Sequence, residues 1–388
     1  MSTFLNQTID FKRHNEMVET VWASFNDGKP VRVPLQIHGS ITNYFFNPQL
    51  NTHGFTFEQF FKDPQVQINA QLEYTNWIKH NVIFDHEMGV PESWHLWVDF
   101  QNSFEASWVG APMQYIEGQL PDTLPIFDAN RDKLYEMPKV LPIERGVLAD
   151  GMAFMDYMTD YCKSHEYMGR PIVPPQRFVG EFSDGVFTLA CKLRGAENLI
   201  YDMLDECGYY EDLMEWLTEN LINRMLTLRK MRMERWGQPI DFFYADDSIE
   251  LLSYEMYKKY VLPYQKRIFD ALAGGKKCGV HLCGNSMHLF EGLVRDLPIN
   301  ALDTGFPIDH GKLRKMVGPD ITLYTGPTIM LLQNGSEDAV RAEVKRILET
   351  GITEGGKYVM IAANNMAPRT PVQNIRAMYE ALQEYGRY

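Results

Sequence analysis

In the run GVHLCGNS (279–286), a histidine and a cysteine stand two residues apart. On a β-strand, residues i and i+2 project from the same face. His281 and Cys283 therefore point one way, while Cys278, Val280 and Leu282 point the other. Two strand rises separate the two α-carbons by ~6.6 Å. Ligand bonds of about 2.1 Å to nitrogen and 2.3 Å to sulfur let both side chains reach one ion, and zinc suits an imidazole–thiolate pair. A buried thiol beside a hydrogen-bonded histidine gives the same short pattern, so the spacing leaves both readings open. Two ligands also fall short of the three that a catalytic zinc usually takes from protein.

Such a strand end needs elements to position it. Eight short apolar, β-branched or aromatic runs recur along the chain: 32–39, 94–102, 177–182, 241–247, 278–285, 299–305, 321–326 and 358–365. Amphipathic helical stretches separate the later ones. This alternation predicts a parallel sheet covered by helices, and eight strands predict an α/β (β/α)₈ TIM barrel. Ser253 is expected to cap a helix reaching about Ala273, kinked at Pro263 and ended by Gly274-Gly275. Ser336 caps the next. Thr370-Pro371-Val372-Gln373 reads as a capping box with proline at the first helical position. One barrel domain over 1–388 is expected, with 40–93 and 103–176 as insertions or helices around its mouth. Trp94, Trp97, Phe100 and Trp108 are candidates to wall an aromatic pocket there.

In a parallel barrel the chemistry gathers at the C-terminal ends of the strands. Polar residues at those ends are His38, Asp99, Asn102, Glu181, Asp246, Asp247, His281, Cys283, Asp303 and Asn364. Asp99 and Asp246 are the expected proton-exchanging groups. Of Asp246 and Asp247, parity sends only one inward. His38, Asn102, Asp303 and Asn364 are expected to bind substrate. Each of these residues also has an ordinary reading as a cap, loop or ion-pair residue.

The net charge of −14 disfavours nucleic acid and anionic membrane as partners. The N-terminal residues contain no apolar h-region, and no run reaches the ~18 apolar residues of a membrane span. Five scattered cysteines, an odd number, argue against a disulfide framework. A cytoplasmic protein with free thiols is expected.

Several segments resemble the uroporphyrinogen decarboxylase superfamily. FNDGKPVRVPLQ (25–36) is similar to its RG-x-x-P-D-R-V-P opening, and HLCGN (281–285) to its H-x-C-G-N strand end. Residues 302–327 and 370–388 resemble its closing segments. The resemblance implies a (β/α)₈ barrel and allows a homodimer. The decarboxylases hold porphyrinogen carboxylates with an R-Q-A-G-R segment; here Gly39-Ser40-Ile41-Thr42-Asn43 stands in its place, without either arginine. Asp99 approximately matches their aspartate at the tetrapyrrole. In the corrinoid-linked methyltransferase branch, typified by methylcobalamin:coenzyme M enzymes, His281 and Cys283 match two zinc ligands. The third is a cysteine where this chain has Asn364, which leaves Glu181 or Asp246 as candidates by location, Glu181 first.

One imidazole, one thiolate and one carboxylate make a harder Lewis acid than a two-thiolate site. The expected function is therefore zinc-assisted methyl transfer between a small methylated substrate, a methoxy compound among the candidates, and a separate corrinoid protein carrying the cobalamin. The alternatives are a decarboxylase or lyase acting through Asp99 on a non-porphyrin carboxylate, and a small-molecule-binding barrel without turnover.

Overall fold

The computed structural model describes residues 9–205 and 208–388; Cys207 lies outside them. Six parallel strands form the central sheet: β1 (Leu35–Gln36), β2 (Phe243–Ala245), β3 (Cys278–Leu282), β4 (Ile299–Thr304), β5 (Thr322–Thr325) and β6 (Tyr358–Ile361). Their order is β1-β6-β5-β4-β3-β2. The first strand pairs in parallel with the last, Leu35 opposite Met360. That pairing of chain start with chain end is the seam of a barrel, and helices connect β2 to β6 in succession.

Two expected strands do not join this sheet. Only Trp94–His95 of the 94–102 run is extended, and it pairs with Ile172-Val173. Residues 177–182 form turns and bends. There the Glu181 carboxylate accepts from Phe178 N, and backbone and side chain thus close a local loop. The aromatic-pocket expectation also changes. Trp94, Phe100 and Trp108 are fully buried core. The indole N–H groups of Trp94 and Trp108 donate to Tyr167 O and Pro142 O, and the Arg224 guanidinium stacks 4.9 Å from the Trp108 ring.

Helix punctuation follows the sequence at two of three places. Ser253 Oγ accepts from Met256 N, and Ser336 Oγ from Ala339 N. The helix after Ser253 breaks at Val261 into Tyr254–Tyr260 and Leu262–Leu272, with Pro263 in the first turn of the second part. The final helix, Val372–Tyr385, has no side-chain cap; Thr370 Oγ1 instead donates to Ala367 O. The proline is the capping residue itself, so the expected box does not form.

The main hydrophobic cluster surrounds the sheet, with Leu35, Val280, Leu302, Leu323 and Met360 among its members. A second cluster is built mainly from 41–178, including Tyr44, Phe60, Ile68, Trp94 and Phe154. A buried ion pair joins the two ends of the first βα unit. Arg32 donates to both oxygens of Asp85, and Asp85 also accepts from Leu35 N at 2.7 Å. Among the described residues, no helix is long and apolar enough to cross a membrane.

Candidate functional site

Strand β3 reads buried, half-buried, buried, half-buried, buried from Cys278 to Leu282. Cys278, Val280 and Leu282 pack outward into the core, so His281 and Cys283 face the barrel interior, as parity requires. Gly284 follows at φ +75°, where an added Cβ would lie 1.7 Å from Glu250 Oε2. The glycine lets the chain turn sharply against Glu250, whose carboxylate also takes the Asn285 N–H.

His281 Nε2 and Cys283 Sγ meet at 2.9 Å. Cross-strand register supplies the next contact: Asp303 lies directly opposite His281 on β4, and its Oδ2 is 2.9 Å from His281 Nδ1. Ala245 of β2 is opposite His281 on the other side. Two residues on, Asp247 returns to that face, with Oδ1 2.7 Å from Cys283 N and 3.9 Å from His281 Nε2. Asn364 Nδ2 donates to Cys283 Sγ at 2.9 Å.

Asp247, His281 and Cys283 thus offer three ligand atoms within 4.8 Å of one another. In a tetrahedral zinc site, bonds of about 2.1 and 2.3 Å set nitrogen and sulfur about 3.6 Å apart. The 2.9 Å pair needs to open by only about 0.7 Å to reach that geometry. Asp303 on the far ring nitrogen fixes Nε2 as the ligating atom, the usual arrangement behind a metal-bound histidine. The donor set therefore fits a three-ligand site with an open fourth position.

The electrostatics favour a cation here. Burial works against a charged His281, but hydrogen bonds to Asp303 and Cys283 overcome it and hold the pKa at about 11. Burial pushes the Cys283 thiol up against the pull of His281, and Asp247 and Asp303 add to the rise. His38 lies within electrostatic reach of Asp303 and His281; burial lowers its pKa.

The other expected site residues are distributed as follows. Glu181 is buried and paired with Arg232 at 3.0 Å, so Asp247, not Glu181, is the carboxylate at the cluster. Asp246 is turned into the core: it accepts from Thr188 N, Thr188 Oγ1, Phe187 N, Tyr244 Oη and Gln265 Nε2. Burial lifts its pKa to about 6 against the pull of the hydrogen bonds from Gln265, Thr188 and Phe187. Asp303 is shared: one oxygen holds His281, and Oδ1 is buried without a hydrogen-bond partner. Asp99 is committed to Gln101, accepting its backbone and side-chain N–H at 2.8 and 2.6 Å. Asn102 and Asn364 line one cavity of about 440 Å³ together with Ser40, Thr42, Gln101 and Lys192. Asn364 belongs to both cavity and cluster and so joins them. The Asp246-Asp247 pair at a strand end was the sequence signal for the third donor; the cross-strand register that selects Asp247 was not readable from it.

The fold and this strand-end site define a class. The uroporphyrinogen decarboxylase (URO-D) family profile matches residues 173–385, more than half of the chain. The chain belongs to that family, and it has the family's TIM-barrel fold. Among particular relatives, the methylcobamide:CoM methyltransferase of Methanosarcina mazei is 26% identical over 176 residues, 45% of this chain and 50% of that protein. The uroporphyrinogen decarboxylase of Thermus thermophilus is also 26% identical, over 208 residues covering 52% of this chain and 58% of that protein. The matches thus span about half the length of these curated relatives. A solved structure, a methyltransferase from Methanosarcina mazei, superposes with TM-score 0.61 at 16% identity over 95% of this chain and 98% of that one, a likeness of fold.

Proposed function

We propose that this chain transfers a methyl group between a small methylated substrate, a methoxy compound in the first instance, and a corrinoid protein, with Asp247, His281 and Cys283 holding zinc. The observation that carries the reading is the convergence of those three donors within 4.8 Å at a barrel strand end. Similarity to methylcobamide:CoM methyltransferases supports it. A zinc ion in this donor set supplies a Lewis acid that polarises a substrate heteroatom. The chain's own groups do the rest. Asp303 orients His281 and keeps Nε2 turned inward. The Asn364 amide steadies the Cys283 sulfur and carries the site to the cavity, where Asn102, Gln101 and Lys192 offer hydrogen bonds to a bound molecule. Cobalamin resides on the separate corrinoid protein.

Metal analysis of purified protein tests the zinc assignment: about one equivalent bound, lost in Cys283→Ala, is expected. Incubating the protein with reduced cobalamin and methyl ethers, followed by absorbance, tests the transfer. Metal-free protein that methylates cobalamin at full rate would remove the metal from the reading.

A second reading, decarboxylation through Asp99, rests on the half-buried Asp99 carboxyl, whose pKa desolvation raises, and on similarity to uroporphyrinogen decarboxylases. Full activity of Cys283→Ala on a carboxylated substrate favours it.

A further inference from the structure

The structure holds an aromatic chamber, though not one built from the tryptophans. Phe45, Phe46, Phe55, Phe57 and Tyr115 line one cavity of about 560 Å³. Phe57 is buried, but Phe45, Phe46, Phe55 and Tyr115 stay half-buried. Uncovered rings gathered round one concavity mark a ligand site rather than a core.

Local bonds hold the walls of the chamber. The Asn51 side chain clamps the Phe55 backbone, donating to Phe55 O and accepting from Phe55 N, each at 2.8 Å. Thr56 then closes a capping box with Gln59, which starts the helix Phe57–Lys62. Phe57 stacks on Phe45 with ring centroids 4.3 Å apart and meets Phe46 edge-on at 5.5 Å. A further wall is the loop of the hairpin that joins Met113–Gln114 to Asp122–Thr123. In it Gln119 N donates to Ile116 O at 3.1 Å, and Gly118 at φ +76° makes the turn possible. Pro121 lines both this chamber and the mouth cavity, so the two adjoin.

The charge of the chamber has one sign. Glu58 and Glu117 line it, and no lysine or arginine does. Glu58 is bonded to Lys62 at 2.5 Å, and that ammonium lies 5.7 Å from the Tyr115 ring centroid without lining the cavity. A cation of the chain thus already rests against one ring of the set. Burial, then Glu58 and Asp150, push the Tyr115 hydroxyl up to about 12, so the phenol stays neutral. Aromatic faces are electron-rich and act with the carboxylates. A protonated amine or a guanidinium needs acceptors for its N–H groups. A quaternary ammonium needs none, and it buries its methyl groups against the rings. We propose that this chamber binds a quaternary, methylated ammonium compound, with the Phe45, Phe46, Phe55 and Tyr115 rings about the cationic head and Glu117 as its counter-charge. The assignment stands on the chamber alone and does not depend on the methyl-transfer reading.

Isothermal titration calorimetry on the full chain tests it with three probes: choline, its uncharged isostere with a tert-butyl group in place of the trimethylammonium head, and ethanolamine. Choline should bind about tenfold or more tighter than either of the others. Phe55→Leu keeps apolar surface but removes a ring, and should weaken choline about threefold or more. Glu117→Gln, on an exposed loop, should weaken choline about twofold or more, by less in high salt, and leave the isostere unaffected. No choline binding in the millimolar range overturns the proposal. Equal affinity for the isostere makes the chamber merely apolar, and equal affinity for ethanolamine makes it a plain carboxylate site; each overturns the proposal. Unchanged choline affinity in either variant puts the ion elsewhere and overturns it too. If Phe55→Leu does not fold, Glu117→Gln decides alone.

Discussion

Replacing Asp303 with asparagine isolates the support behind the candidate zinc site. Asp303 Oδ2 sits 2.9 Å from His281 Nδ1 and fixes the ring so that Nε2 faces Cys283 and Asp247. Its other oxygen has no partner to lose, and the asparagine side chain is nearly isosteric. The change therefore removes charge and basicity from the His281 support while sparing the fold. Loss of such an outer partner weakens metal binding by about 10- to 100-fold, or about 1.4–2.7 kcal/mol. Zinc affinity is to be measured by competition with a chromophoric chelator at fixed pH, in wild type, Asp303→Asn and His281→Ala. The expected order is wild type, then Asp303→Asn, with His281→Ala weakest, and with little change in melting temperature for Asp303→Asn. Affinity should rise with pH, since imidazole and thiol must both lose protons to ligate. An Asp303→Asn affinity within twofold of wild type would refute the orienting role. Equal zinc binding by His281→Ala would refute the site itself.

Three further outcomes follow from the geometry. Asn364→Cys places a second sulfur beside that of Cys283, where Asn364 Nδ2 now stands at 2.9 Å; tighter zinc binding in the same competition assay is expected, against a strain cost of about 1–3 kcal/mol at φ 99°, and unchanged affinity would show that residue 364 cannot reach the ion. Asp85→Ala strands the buried Arg32 charge, so urea unfolding should show a loss of about 3–5 kcal/mol; a loss below about 1 kcal/mol would show that the pair behaves as a surface one. Burial and the Arg346 charge lower His310 to about 4, so the folded state binds fewer protons than the unfolded one. Its contribution is complete above pH ~6.5 and is lost as pH falls through that value toward about 4; His310→Gln should flatten stability against pH in that window, and an unchanged slope would refute this.

Local chemistry made much of the molecule legible. Period-2 burial in CGVHL follows from alternating side chains, and it alone turned His281 and Cys283 inward together. The caps at Ser253 and Ser336 formed because the hydroxyl of each reaches an N–H three residues away. The expectation failed at Thr370, where proline occupies the cap and the hydroxyl finds Ala367 O. It failed at 177–182, where the Glu181 carboxylate folds a would-be strand into a turn. It failed for Trp94, Phe100 and Trp108, because an aromatic ring is equally at home in a core and in a pocket wall.

The sequence by itself determined the parallel α/β pattern, the inward pair His281 and Cys283, and the gap at Asn364 where a second cysteine, the third ligand, would complete the resemblance. Only the tertiary structure decided which carboxylates join them. Register between β2 and β3 sets Ala245 beside His281 and so brings Asp247, not Asp246, to the cluster. Register between β3 and β4 puts Asp303 behind the imidazole. A strand's own alternation is fixed by adjacent peptide units. Which neighbour it meets depends on contacts between residues tens to hundreds of positions apart, and no local pattern encodes that choice.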